Sequence, residues 1–252
     1  MTYPIIGLRI MSGEALRKAR LQRGWTQAEA GARLGVSQAY VALLEKERRR
    51  VPTKLARKAV RLWGLDPVLL PPAENPSTLT PATAKSALAG SPDVSDRLAR
   101  DLSRLGYPGF AYLRGGWLKN PGEVLLTALA QRNLDSRVAE ALPWLLLRYP
   151  EMDSDWLVTQ TRLLNLANRL GFVVDLARHV LERKNETDSA RYQTLTRLSN
   201  ALRSSRLDVE DTFGQESLTE TERNWLRANR PDEARFWHLL TNWQPEFLQY
   251  AL

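Results

Sequence analysis

Between Thr26 and Pro52 the chain reads TQAEAGARLGVSQAYVALLEKERRRVP, and no other stretch limits the fold so narrowly. Thr26 can cap a helix through its hydroxyl, and Glu29, three places on, supplies the reciprocal half of a capping box. A helix therefore starts near Gln27, runs through QAEAGARL and stops at Gly35, a residue free to adopt left-handed backbone. Ser37 caps the next helix, QAYVALLEK, so only Gly35, Val36 and Ser37 separate the two. So short a turn forces a steep crossing, and Ala30 and Gly31 provide the small residues a close crossing needs. Val36, Val41 and Leu44 supply the apolar contacts beneath the turn. Gln38, Ala39, Tyr40, Ala42 and Leu43 are left facing outward, followed by Lys46, Arg48, Arg49 and Arg50. An amide and a phenol at the start of a serine-capped helix, trailed by a basic cluster, suit a DNA major groove.

The charge distribution agrees. Residues 1–65 hold 14 Lys and Arg against 4 Asp and Glu, a net of +10, whereas the rest of the chain is at −2. The basic excess thus sits where phosphate neutralisation would require it. On either side of the core stretch, Ser12 precedes GEALRKARLQRG, with Leu16, Ala19 and Arg20 at helical spacing and Gly24 ending the helix. Trp25 is expected to plug the core of the small domain. Pro52 opens a further helix, TKLARKAVRLWG, with Leu55, Ala59, Val60 and Trp63 inward and Lys54, Arg57, Lys58 and Arg61 outward.

The segment from Thr26 to Pro52 resembles, without gaps, the helix-turn-helix of the phage repressor and Cro (XRE-type) family. With its flanking helices, the resemblance covers about a quarter of the chain. It implies that Gln27 grips a phosphate and that Gln38, Ala39, Tyr40 and, one turn on, Leu43 read base edges. Arg48, Arg49 and Arg50 would hold the sugar-phosphate backbone, with Ser37 and Lys54 as further phosphate contacts. One departure stands out: the family usually ends this helix with a glycine after the glutamate, where this chain has Glu45, Lys46 and Glu47. The expected outcome is an altered helix end, extended by a turn, with a second carboxylate near the phosphates.

The whole chain is expected to be all-α, with a four- or five-helix repressor-like domain over residues 1–65, a linker over 66–93 and a larger helical domain over 94–252. The linker contains six prolines between residues 66 and 92 and no clear period; its LTPATAKSALA portion could hold a short helix. Beyond it, VSDRLARDLSRLG sets Leu98, Leu102 and Leu105 on one face, and YPGFAYLRGG has the composition of a short hairpin. PGEVLLTALAQRN and DSRVAEALPWLLLRYP, the latter capped by Asp135, make one helix pair. DSDWLVTQTRLLNLANRLG and FVVDLARHVLERK make another, and LAQRN at 129 aligns with LANRL at 166, as in paired-helix repeats. A third pair would join SARYQTLTRLSNALRSS to LDVEDTF, giving stacked hairpins in a solenoid or an irregular bundle. Thr219 with Glu222 makes a capping box for ETERNWLRANR, and Pro231 opens DEARFWHLLTNW. The aromatics Trp225, Phe236, Trp237, Trp243, Phe247 and Tyr250 read as core, or as a partner surface.

Cysteine is absent, which excludes disulfides, thiolate metal sites and cysteine nucleophiles and fits a reducing, cytoplasmic setting. No apolar run approaches the ~18 residues of a membrane span. The opening TYPIIGLRIM lacks a basic start and a small-residue cleavage site, so it does not read as a signal peptide; it either packs on the first helix or precedes a start at Met11. No Walker loop, GxGxxG, HExxH or GxSxG occurs, and His179 and His238 have no partner at ligand spacing. An enzyme is therefore not expected, nor a metal or cofactor. The expected partner is double-stranded DNA, bound by a homodimer reading two half-sites, as a repressor of its own operon. Separately, WLRANRPDEARFWHLLTNWQPEFLQYA is similar to the C-terminal ends of helix-turn-helix antitoxins that accompany nucleotidyltransferase-type toxins. That resemblance implies an alternative role, neutralising a cognate toxin through the helical domain.

Overall fold

The computed structural model describes residues 11–72, 92–248 and Tyr250. The apolar opening up to Ile10, the short helix expected within the linker and the last two residues lie outside them. Twelve α-helices and one two-residue strand pair account for the regular structure among the described residues, so the chain is mostly helical. It divides into two compact units. The first holds the described residues up to Pro72 together with Leu118–Asn120; the second holds the remainder.

In the first unit, α1 (Gly13–Leu21), α2 (Gln27–Leu34), α3 (Gln38–Glu45) and α4 (Thr53–Trp63) follow one another with short connections. Ser12, Thr26 and Ser37 each accept a backbone N–H through their hydroxyls at the helix starts, and Thr26 and Glu29 complete their capping box. The hydrogen bonds from the Thr26 backbone and then its hydroxyl hold the Glu29 carboxyl below the usual glutamate range. Leu16, Ala30, Leu34, Leu44, Ala59 and Trp63 are at the centre of the core. Trp25 is half-buried rather than a plug: its ring meets that of Trp63 edge-on at 5.5 Å, while the Arg33 guanidinium lies 4.2 Å from its centroid. Asp66 to Leu70, assigned to the linker on composition, pack into this unit. Pro67–Leu69 form a 3-10 turn, Leu69 O accepts from Met11 N at 2.7 Å, and Val68 and Leu70 are buried.

The second unit contains α5 (Pro92–Leu105), α6 (Pro121–Leu129), α7 (Ser136–Arg148), α8 (Ser154–Leu163), α9 (Ala167–Arg183) and α10 (Ala190–Arg203). It continues with β1 (Asp211–Thr212), α11 (Glu220–Asn229), α12 (Asp232–Phe236) and β2 (Leu239–Leu240). α9 is buried along most of its length, polar residues included, and is packed by α7, α8, α10 and α12. Two of its buried charges are held by networks: Arg169 makes a two-bond salt bridge to Asp211 and donates to the carbonyls of Leu129 and Gln131. Asp175 accepts from Ser199, Arg178 and the Trp237 indole.

Several expectations about this unit are corrected. YPGFAYLRGG forms a 3-10 turn at Pro108–Phe110, not a hairpin. The run expected as one helix from Asp153 to Gly171 breaks at Asn165, whose φ of 56° marks left-handed backbone, and α9 continues through the expected gap before Phe172. LAQRN closes α6 whereas LANRL opens α9, so the two do not occupy equivalent places and the repeat is not structural. LDVEDTF is not a helix; Asp211 and Thr212 pair in parallel with Leu239 and Leu240. DEARFWHLLTNW gives only the five-residue α12, because His238 turns at φ 53° and the chain then enters β2.

Candidate nucleic-acid interface

The two helices that would meet DNA are placed by backbone chemistry. Gly35 takes φ 72° at the end of α2, and its N–H bonds to the last carbonyls of that helix. Val36 N then donates to Gly31 O at 2.9 Å, which draws α3 across α2 at Gly31. A Cβ on Gly31 would lie 2.7 Å from Val36 O, so the small residue read from the sequence is required by contact with backbone. Lys58 on α4 closes the same turn by donating to Leu34 O at 2.7 Å.

On α3, Gln38 and Ala39 are exposed, while Tyr40 and Leu43 are half-buried. Ser37 Oγ accepts from Tyr40 N at 3.2 Å, so its hydroxyl serves the helix start. Arg48, Arg49, Arg50 and Lys54 are all exposed. The Arg49 guanidinium stands 6.0 Å from the centroid of the Tyr40 ring, which brings the basic loop against the outward face of α3. Four of the expected contact residues, Gln38, Ala39, Tyr40 and Arg49, are therefore displayed together, with Arg48 and Arg50 beside Arg49 in the chain.

The end of α3 differs from expectation. The helix is not lengthened: it stops at Glu45, and Lys46 is its cap. Glu47 N donates to Leu44 O at 2.9 Å and Arg48 N to Leu43 O at 3.0 Å, the paired bonds of a Schellman stop. Glu47 occupies the left-handed position with φ 55°, where a glycine is usual. The altered residue is thus accommodated by strain in one backbone angle.

The second carboxylate, Glu47, is exposed and precedes Arg48 in the chain, whereas the first, Glu45, is turned inward. It is 8% exposed and receives two bonds from the Arg20 guanidinium, at 2.6 and 2.9 Å. Arg20 also donates to Trp25 O at 2.6 Å. Burial pushes the Glu45 carboxyl up, but the bonds from Arg20 and Gln27 and the nearby positive charge of Arg20 and Arg17 outweigh it and hold it below the usual range. Gln27, expected to grip a phosphate, is half-buried and donates its amide to Glu45 Oε2 at 2.9 Å. This Arg20–Glu45–Gln27 network was missed from the sequence. The signal available was Arg20 itself, a charged residue at the spacing of Leu16 and Ala19; its partner 25 residues away has no local mark.

Elsewhere, His179 Nε2 is 3.7 Å from Glu182 and 3.6 Å from Glu233, and it is Trp237, alone of the closing aromatics, that is fully buried. Among the described residues no helix is long and apolar enough to cross a membrane.

Residues 16–70 match the family model described as Helix-turn-helix, the XRE-type domain, and the match ends at Leu70, the last buried residue before the chain leaves the first unit's core. No curated protein and no solved structure matches the chain.

Proposed function

We propose that this helix-turn-helix DNA-binding regulator works as a dimeric repressor of its own operon. The observation that carries the reading is the joint display of Gln38, Ala39 and Tyr40 with the Arg48–Arg50 loop, while Glu45, at the end of α3, is neutralised inside the unit. In this reading Gln38 pairs bidentately with adenine, Ala39 leaves room for a thymine methyl, and Tyr40 and Leu43 complete the base contacts. Arg48, Arg49, Arg50 and Lys54 fix position on the phosphates, with Gln27 and the Ser37 end of α3 assisting. One such unit buries too little surface for tight selectivity, so two half-sites about one helical turn apart are read by two copies joined through the second unit.

The second unit is read as a binding module without catalysis. A surface cavity among its described residues, about 250 Å³ and lined by Arg162, Asn165 and Ser204 among others, is below the usual size of a site for a drug-sized ligand. Trp225 and Phe247, both more than half exposed in the closing segment, favour a protein contact and support the second reading, an antitoxin that holds a cognate toxin there.

The test is binding of the purified protein to its own upstream region and to unrelated DNA at two salt concentrations. A large preference for the upstream region is the expected result; equal, steeply salt-dependent binding to both would overturn autoregulation. A stable complex with the product of a neighbouring gene would establish the antitoxin role, and a solitary gene with no bound partner would remove it.

A further inference from the structure

Helix α4 carries a charged face of which the contacts proposed above use only Lys54, at its start. Leu55, Ala56, Ala59, Val60 and Trp63 are buried, and at 100° per residue Lys54, Arg57, Lys58 and Arg61 fall in one arc diametrically opposite them. The helix contains no acidic residue. Lys58 is committed to Leu34 O and the turn at Gly35, whereas Lys54, Arg57 and Arg61 are exposed and no carboxylate among the described residues pairs with them. These three lie within an eight-residue stretch, roughly 10 Å of helix, which covers about three phosphate-to-phosphate steps of one strand at ~3.4 Å each along the axis.

We propose that α4 extends the DNA contact beyond the helix-turn-helix, with Arg57 and Arg61 gripping the phosphate backbone that flanks the site. Two observations fix the occupant. The row is continuous in sequence and charge with the Arg48–Arg50 loop and Lys54, and the lysine beside Arg57 reaches the turn that leads into α3. Its chemistry fits a polyanion of regular spacing: three cations in a row on a rigid helix, with no built acceptor or aromatic pocket among them. The grip adds affinity without sequence information.

The inference rests on the DNA-binding reading, and Arg49→Ala separates the two. The full chain, the double variant Arg57→Gln/Arg61→Gln and Arg49→Ala are titrated by fluorescence anisotropy on a duplex of the protein's own upstream region and on an unrelated duplex, between roughly 50 and 200 mM salt. The double variant is expected to keep the wild-type melting temperature and to flatten the slope of log K against log salt by about 1.8 on both duplexes, at ~0.9 per phosphate contact. A hydroxyl-radical footprint should lose protection at the flank and keep it at the centre. If Arg49→Ala weakens binding while the double variant leaves slope and footprint unchanged, α4 is a solvated face and the inference fails alone. If neither change matters, the DNA-binding reading fails with it. Co-capture of two differently labelled duplexes, lost in the double variant, would mean that α4 holds a second duplex and would overturn the flanking contact. Should the double variant fold poorly, Arg61→Gln alone is expected to flatten the slope by about 0.9.

Discussion

Glu47 holds a left-handed backbone angle that costs an L-residue about 1 kcal/mol, and it does so at the end of the helix expected to read bases. Glu47→Gly is therefore expected to stabilise the first unit by about 1 kcal/mol in denaturant melts, and to strengthen DNA binding slightly by removing an exposed carboxylate. Gln38→Ala should cost about 1–3 kcal/mol on the upstream region and relax selection at one base, whereas Arg49→Ala should weaken all sequences alike and flatten the salt slope. Competition assays on single-base variants of the site distinguish these. Glu45 gives a pH dependence with a definite sign. Its folded pKa lies below the unfolded value, so its stabilisation is complete above the ordinary glutamate range and is lost as pH falls through the lower folded value. Thermal melts between pH 7 and 3 should show this acid limb. Glu45→Gln should lose it and cost about 3–5 kcal/mol, because the Arg20 charge is left buried without its counter-charge.

At the scale of elements, the crossing of α2 and α3 depends on Gly31. Gly31→Val is expected to cost more than 2 kcal/mol, since its Cβ would meet Val36 O, a backbone atom that cannot swing aside; circular dichroism melts check it. This crossing was legible in the sequence because each of its determinants is local: Thr26 with Glu29, Gly35, Ser37 and Gly31 all lie within 12 residues. The same holds for Asp135 and for Thr219 with Glu222, which cap α7 and α11 as read. The break at Asn165 escaped because the apolar period runs on through Leu163, Leu164 and Leu166 while the backbone turns left-handed at a residue tolerant of it. The strand pair escaped because LDVEDTF carries no strand signal of its own; it is held by Leu239 and Leu240, and by Arg169 gripping Asp211 from α9. Of the candidate interface, the exposed residues were readable from turn chemistry and charge. The roles of Arg20 and Glu45 were not, since an ion pair between α1 and α3 exists only once the helices are packed.

For the whole molecule, the proposed dimer predicts that sedimentation equilibrium of the full chain gives twice 28.6 kDa at micromolar concentration. A species of single mass would place the half-site model in conflict with the affinity expected of one helix-turn-helix unit. The two units also differ in how far apart in sequence their contacts reach. The first completes its core with residues between Met11 and Leu70, apart from Leu118 at its margin. α9 of the second depends on Trp237, which is fully buried, donates to Asp175 at 2.7 Å across 62 residues and lies against Gly171 so closely that a Cβ there would fall 2.4 Å from its ring. On the ribosome, at about 5–20 residues per second, the helix-turn-helix unit can therefore fold many seconds before the indole that completes the second unit has been synthesised. A chain interrupted in that interval would carry a finished DNA-binding unit and an unfinished partner unit, able to occupy single half-sites and compete with the complete protein for them.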